Sequence, residues 1–308
     1  MSTSDGLATK NRISPIKRLY DTKISYFLFV LPALILVLVF LIIPVILSFR
    51  LSLTNWDGVS QDYRNIGFEN FRSVVQSSEF PTVIKNTAYF IVLYVPVLNA
   101  ITILLAAIVY DIGRFANFYK IVLFLPNILS MVVVGFIWRT IYSPSTGPLA
   151  YFLDKLGLEF LIQDWLGQKE TVMPALTVAI LWYAIGFYML IYLGGLSTIP
   201  VELYEAAEVD GIGWWQKLTR ITLPLISQSI TINVIVSTIG VLTLFDLPFV
   251  LTQGGPGYAS QTMALLSYQY AFKAMSQGKA MALAVMLTIV TIVFSSIELV
   301  ILNKREEF

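Results

Sequence analysis

Long apolar runs separated by short polar segments dominate the hydrophobic pattern of this 308-residue chain. Each run reaches the roughly 20 residues that a membrane-spanning helix needs. The six runs cover residues 24–49, 84–110, 119–142, 172–196, 225–251 and 280–302. Backbone groups in lipid must be paired within the segment, so each run predicts a helix. The pattern therefore predicts an all-α integral membrane protein, with six transmembrane helices over residues 24–302 and tails at 1–23 and 303–308.

The composition excludes several classes of protein. Hydrophobic residues make up 57% of the chain and charged residues 13%, against roughly 25% charged in soluble domains. The chain has no Cys and no His, which removes disulfides, thiol chemistry and the usual zinc or haem ligands. The net charge of +1 argues against a nucleic-acid partner. No phosphate-loop pattern is present, so we expect no catalytic residue, metal site or cofactor on this chain.

Both ends of the chain are basic. The N-terminal tail carries five Lys or Arg residues, and Lys304 and Arg305 follow the sixth run. Basic segments beside spans stay in the cytoplasm, and an even number of spans puts both tails on one side. We therefore expect a multi-pass protein of the cell membrane with both termini in the cytoplasm.

A polar insert at residues 198–224 separates the fourth and fifth runs. Its acids cannot lie in hydrocarbon; they are Glu202, Glu205, Glu208 and Asp210. Pro200 suits the first turn of a helix, and Gly211 suits the residue just past its end. A second short helix would put Trp214, Trp215 and Leu218 on one side. The insert predicts a helix–turn–helix at the membrane face that serves as a docking surface; an ordinary amphipathic connector is the alternative.

The spacing within this insert resembles a known signature. Glu205-Ala206-Ala207 is followed by Gly211, nine residues, and then Ile221-x-Leu223-Pro224, as in the signature loop of ABC-transporter permeases. The resemblance implies the type I importer permease fold, with cytoplasmic coupling helices that fit a groove on an ATPase. We call residues 198–224 the coupling loop. Its implied ATPase-coupling residues are Glu205, Ala206, Ala207, Asp210, Gly211, Ile221, Leu223 and Pro224.

Other segments resemble the carbohydrate-uptake branch of these permeases. Phe245-Asp246-Leu247 precedes Leu251-Thr252-x-Gly254-Gly255-Pro256, and Tyr268-x-Tyr270-Ala271-Phe272 precedes the sixth run. Leu31-Pro32-Ala33 and Pro44 look similar to the first member of a permease pair, as in the maltose and glycerol-phosphate transporters.

Polar and aromatic side chains inside the runs mark the candidate substrate site, because polar groups at membrane depth normally face a bundle interior or an aqueous cavity. Sugars offer hydroxyls for hydrogen bonds and C–H faces for aromatic rings. The candidate ligands are Asn127, Trp182, Tyr183, Asn233 and Ser237. The maltose-permease resemblance implies contacts at Asn127, Met131, residues 182–184, Ser237, Val241 and Leu244, of which only Trp182 and Ser237 keep that family's residue. Interhelical hydrogen bonding is the alternative for Asn233 and Ser237, and packing or an interfacial belt for the two aromatic residues.

The resemblance implies a non-catalytic permease subunit of an ATP-driven importer for a sugar or oligosaccharide in a prokaryotic inner membrane. Its implied partners are an extracytoplasmic sugar-binding protein, a second permease subunit, and two copies of a cytoplasmic ABC ATPase that binds ATP and Mg²⁺. The alternatives are a glycerol-phosphate importer, an ion-coupled secondary carrier, and a polytopic enzyme such as a glycosyltransferase. A homodimer is the alternative to the heteromeric pair.

Overall fold

The computed structural model describes residues 23–303, where the regular elements are helices apart from one isolated β-bridge between Thr54 and Asn65. Most of the two predicted tails therefore lies outside the described residues. The chain divides into two compact units after Arg50. The described part of the first unit is one long apolar helix, which continues to Ser52. It is α-helical over Lys23–Val37, π-helical over Leu38–Ile42, and α-helical again over Ile43–Ser52.

The second unit contains the remaining helices of the described chain. In chain order they are Glu69–Val75, Phe80–Tyr89, Phe90–Tyr94 (π), Val95–Asp111, Gly113–Phe115 (3₁₀), Ala116–Ile128, Met131–Ile141, Pro148–Lys155, Glu159–Leu161 (3₁₀), Val172–Leu196, Val201–Val209, Trp214–Lys217, Leu218–Thr222 (π), Leu223–Leu225, Ser227–Leu242, Asp246–Leu251, Met263–Phe272 and Gln277–Asn303.

Five helical stretches of the described chain are long and apolar enough to cross a membrane. They are Tyr26–Ser52, Phe80–Asp111, Val172–Leu196, Ser227–Leu251 and Gln277–Leu302. A sixth is added if the bent pair Gly113–Ile128 and Met131–Ile141 counts as one span. In chain order, with the bent pair as the third, we call these the first to sixth spans.

The prediction of one continuous helix over residues 119–142 is wrong. The chain turns by 97° between Ile128 and Met131, because Leu129 and Ser130 adopt extended backbone with ψ of 148° and 145°. Pro126 lacks a backbone N–H and so weakens the last turn before the break. Ser130 then caps the next helix by accepting the Val133 N–H at 3.4 Å. The cap at Ser130 therefore starts a new helix within an apolar run that by itself favours a continuous one.

A π-helical turn precedes a proline at three places. The turns Leu38–Ile42, Phe90–Tyr94 and Leu218–Thr222 each end two residues before Pro44, Pro96 or Pro224. A proline cannot donate a hydrogen bond, and its ring crowds the carbonyl four residues earlier. The residue before each proline instead bonds five residues back, as Leu223 does to Leu218. The Ile-x-Leu-Pro end of the coupling loop is thus a widened turn.

The fourth span is the centre of the second unit. More than half of the residues in its most apolar stretch are buried, whereas none are buried in the most apolar stretch of the sixth span. Its side chains Leu176, Met189 and Tyr192 are fully buried. Gly186 lets it approach the third span closely, because a Cβ there would overlap the backbone of Leu123 and Phe124. The elements around this helix form the candidate site.

Candidate functional site

A cavity of about 240 Å³ lies among the second, third, fourth and fifth spans. Amide, phenol, aromatic and aliphatic groups form its wall, and none of the described lining residues carries a charge. The lining residues are Tyr94, Asn127, Met131, Ile180, Tyr183, Ala184, Phe187, Tyr188, Gly240, Val241 and Leu244. Such a wall offers hydrogen bonds and ring faces but no counter-ion.

The structure brings two of the five predicted ligands, Asn127 and Tyr183, to this cavity. The Asn127 side-chain amide also reaches the carbonyl oxygen of Tyr183 at 3.5 Å. Four other positions implied by the maltose-permease resemblance line the same space: Met131, Ala184, Val241 and Leu244. The bend after Ile128 separates Asn127 and Met131 onto two helices, yet both face the cavity.

Trp182 lies outside this lining. Its ring packs edge-on against Trp138, with centroids 5.9 Å apart, and 38% of the residue remains exposed. Its neighbours Tyr183 and Ala184 do line the cavity. The structure therefore places Trp182 in an aromatic contact between the third and fourth spans.

Ser237 and Asn233 are fully buried between helices. The Asn99 side-chain amide donates to the Ser237 hydroxyl at 3.2 Å, and the Tyr192 hydroxyl donates to the Asn99 carbonyl oxygen at 2.6 Å. The Asn233 amide donates to the Tyr188 carbonyl oxygen at 3.0 Å. These bonds join the second, fourth and fifth spans, although the side-chain oxygen of Asn233 is buried without a hydrogen-bond partner. In this conformation neither residue lines the cavity.

Sequence reasoning did not include Tyr94, Phe187 or Gly240 among the candidate ligands. Within the fourth span a signal was available, because Ile180, Tyr183, Ala184 and Phe187 follow the i, i+3, i+4, i+7 spacing of one helix face. No such signal marks Tyr94, which comes from a different helix and reaches the cavity only through tertiary packing.

Within the coupling loop, a helix covers Val201–Val209, with Asp210 as its C-cap residue and Gly211 just beyond it. Gly211 has φ of +69°, a left-handed conformation that favours glycine. Its N–H donates to the Glu208 carbonyl at 3.1 Å, and the Ile212 N–H donates to the Ala207 carbonyl at 2.9 Å. Together these bonds close the helix end. The structure thus forms the predicted helix–turn–helix.

The predicted coupling residues divide by exposure. Glu205, Ala206, Asp210, Gly211 and Pro224 are exposed, whereas Ala207 is buried and Ile221 and Leu223 are half-buried. Val209 is 88% exposed beside the acids. An exposed surface of carboxylates and small apolar groups is available to a partner, while the remaining signature residues anchor the loop.

Side-chain contacts join the first helix of the coupling loop to the segment that follows Gly213. The Tyr204 hydroxyl bonds that of Thr222 at 3.1 Å, and burial raises the pKa of Tyr204. Lys217 pairs with Glu208 at 3.6 Å and lies 5.4 Å from the centre of the Tyr204 ring. The prediction that Trp214, Trp215 and Leu218 share one side holds for two of the three. Trp214 and Leu218 line one small pocket, whereas Trp215 is exposed. Trp214 also bonds Asp111.

Comparisons with known proteins agree with this architecture. A model of the family described as the binding-protein-dependent transport system inner membrane component matches residues 104–306. The chain belongs to this family. The diacetylchitobiose uptake system permease protein NgcF of Streptomyces coelicolor is 32% identical, over 91% of this chain and 83% of its own length. The probable starch degradation products transport system permease protein AmyD of Thermoanaerobacterium thermosulfurigenes is 31% identical, over 94% of this chain and 97% of its own length.

Solved structures show the same fold. One is a bacterial ABC transporter involved in the import of the acidic polysaccharide alginate, whose matching chain has a TM-score of 0.79 and 26% identity. The match covers 94% of this chain and 97% of that one. A second is a bacterial alginate ABC transporter in complex with an alginate pentasaccharide-bound periplasmic protein, with a TM-score of 0.78, 26% identity, and coverage of 92% and 94%. The predicted all-α importer permease fold is confirmed.

Proposed function

We propose that this chain is the permease subunit of an ATP-driven importer through which a neutral sugar or oligosaccharide crosses the membrane. The observation that carries the proposal is the uncharged cavity, whose wall combines Asn127 and the three tyrosines Tyr94, Tyr183 and Tyr188 with aromatic and aliphatic residues. Sugar hydroxyls require such hydrogen-bonding groups, and sugar C–H faces suit ring surfaces. The relatives' names, which include diacetylchitobiose and starch-product permeases, support the same class.

The charge of the cavity separates this proposal from its nearest rival. A glycerol phosphate or a uronic acid would favour Lys or Arg for charge-assisted hydrogen bonds, and none of the described lining residues is one. The likeness to the alginate importer therefore supports the architecture, while the cavity favours a neutral substrate. An ion-coupled carrier is less consistent with the exposed coupling loop, because such a carrier has no ATPase for the loop to bind.

The proposed mechanism assigns a role to each surface. A binding protein delivers the sugar, and two ATPases dock on the coupling loops of this chain and of a second permease. ATP-driven closure of the ATPases moves each loop and switches access to the cavity between the two sides of the membrane. At about 240 Å³ the cavity is smaller than the roughly 300–1,000 Å³ of typical ligand pockets, which supports a pathway completed by the second subunit. This chain performs no covalent chemistry.

Reconstitution of the complex tests the proposal. The chain would be extracted in mild detergent, its copurifying subunits identified, and the complex placed in proteoliposomes with its binding protein. We expect an ATPase to copurify and ATP to drive uptake of neutral oligosaccharides but not of glycerol phosphate or uronates. Uptake driven by an ion gradient without ATP would contradict the importer, and preferred uptake of an anionic substrate would contradict the assignment of a neutral sugar.

A further inference from the structure

The second span meets the coupling loop through residues far apart in the chain. Trp214 donates its indole N–H to a carboxylate oxygen of Asp111 at 2.9 Å, across 103 positions of sequence. Asp111 is the last residue of the second span, and Trp214 begins the second helix of the loop. Beside this bond the rings of Tyr110 and Tyr204 lie 6.1 Å apart. One end of the second span is therefore held by the loop.

This contact matters because of how the other spans connect to the loop. The fourth span ends at Leu196 and the fifth begins at Ser227, so the backbone itself joins both spans to residues 198–224. The second span has no such covalent connection. Its contact with the loop runs through its last turn, where Asp111 supplies a directional hydrogen bond.

The second span also reaches the cavity. Tyr94 lies in the cavity wall, 17 residues before Asp111, which is roughly 26 Å at 1.5 Å per residue. Between them Asn99 bonds Ser237 of the fifth span and Tyr192 of the fourth. One helix thus connects the coupling loop, the interhelical hydrogen bonds and the cavity wall.

We propose that the Trp214–Asp111 bond links movement of the coupling loop to the second span, and that both residues position Tyr94 in the cavity. The inference rests on the proposed function. Asp111 is exposed and Trp214 is 38% exposed, so removing either group leaves no buried polar atom unpaired. Variants at these positions should therefore fold and assemble, which separates a loss of coupling from a loss of structure.

The test uses the complete reconstituted complex and measures sugar uptake and ATP hydrolysis in the same vesicles. The variants are Trp214→Phe, which keeps an aromatic ring without the donor, Asp111→Ala, and the two combined. We expect each single variant to lower the sugar taken up per ATP hydrolysed by roughly three- to tenfold, the net contribution of an ordinary hydrogen bond, because this bond is exposed to water. The double variant should lose no more uptake per ATP than either single variant, because the two substitutions remove the two partners of the same hydrogen bond.

Two control variants define the role of the bond. Asp111→Asn keeps an oxygen that accepts the indole N–H, so it should retain most of the coupling. Phe115→Leu changes an exposed aromatic side chain outside the coupling loop, four residues beyond Asp111, and should behave like the wild type. Native mass spectrometry should find the same subunits in every variant.

The chain has no Cys, which allows a direct repair of the link. In an Asp111→Cys, Trp214→Cys variant, a short thiol-reactive cross-linker should restore the uptake per ATP that the untreated variant has lost. Unchanged coupling in both single variants, additive losses in the double variant, or loss of the ATPase from the complex would each overturn the proposal. The wild type separates the two claims: if it fails to take up sugar, the proposed function fails, whereas normal wild-type uptake with unchanged variants defeats the link alone.

Discussion

Gly186 of the fourth span lies directly against the backbone of Leu123 in the third span. A Cβ at position 186 would overlap the Leu123 carbonyl oxygen and approach the Phe124 Cα to 2.5 Å. These are backbone atoms, which cannot rotate aside as a side chain can. Asn127 lies one turn beyond Leu123, so the same contact fixes a wall of the cavity.

Gly186→Ala is therefore expected to destabilise the protein by about 1–3 kcal/mol, the usual cost of overpacking a core. Gly194→Ala is the matched control in the same helix, because nothing lies within 4 Å of its added Cβ. Thermal unfolding of the two detergent-purified variants provides the measurement. Equal melting temperatures would show that the helices separate easily at this contact.

Substitutions in the cavity should differ from those in the interhelical hydrogen bonds. Asn127→Leu is expected to change which sugars are transported, or to raise the transport KM, at unchanged thermal stability. Ser237→Leu places a larger side chain at a fully buried position and removes the Asn99 partner, so it should destabilise the protein by about 1–3 kcal/mol. Comparing uptake kinetics with melting temperatures separates the roles. A change of sugar preference in stable Ser237→Leu would instead support the sequence-based prediction that Ser237 binds substrate.

The turn of the coupling loop should tolerate substitution at one glycine and not at another. Gly211 has φ of +69°, which a β-branched residue adopts only with strain, so Gly211→Val should lower transport and binding-protein-stimulated ATP hydrolysis. Gly213→Ala is the control, because Gly213 has φ of −68° and open space around it. Glu205→Lys should lower the same activities through the exposed surface. Wild-type coupling in both Gly211→Val and Glu205→Lys would contradict a docking role for the loop.

The predicted orientation can be tested with single cysteines, since the chain has none of its own. A Cys at Ser4 and a Cys at Val209, which is 88% exposed, should both resist a membrane-impermeant maleimide in intact cells. Both should react in inverted vesicles. Labelling of the Ser4 position from outside would reverse the assignment of the termini.

Two of the five residues proposed from the sequence as ligands line the cavity of the structure. Asn127 and Tyr183 were identified because amides and phenols are costly in lipid, a property of the residues themselves. Trp182, Asn233 and Ser237 met the same criterion, yet the structure places them in contacts between helices. The criterion finds side chains that avoid lipid, but it does not distinguish a cavity from a neighbouring helix.

The sequence by itself determined the elements whose causes are local. Apolar runs of sufficient length specify spans, and Pro200 and Gly211 bound the coupling helix through backbone chemistry alone. Only the tertiary structure decided the bend at Leu129 and Ser130, the bond between Trp214 and Asp111, and the place of Tyr94 in the cavity. Spans that are apolar on every side carry little periodic signal for their rotation about the helix axis. The direction in which each side chain points therefore depends on which helices pack together.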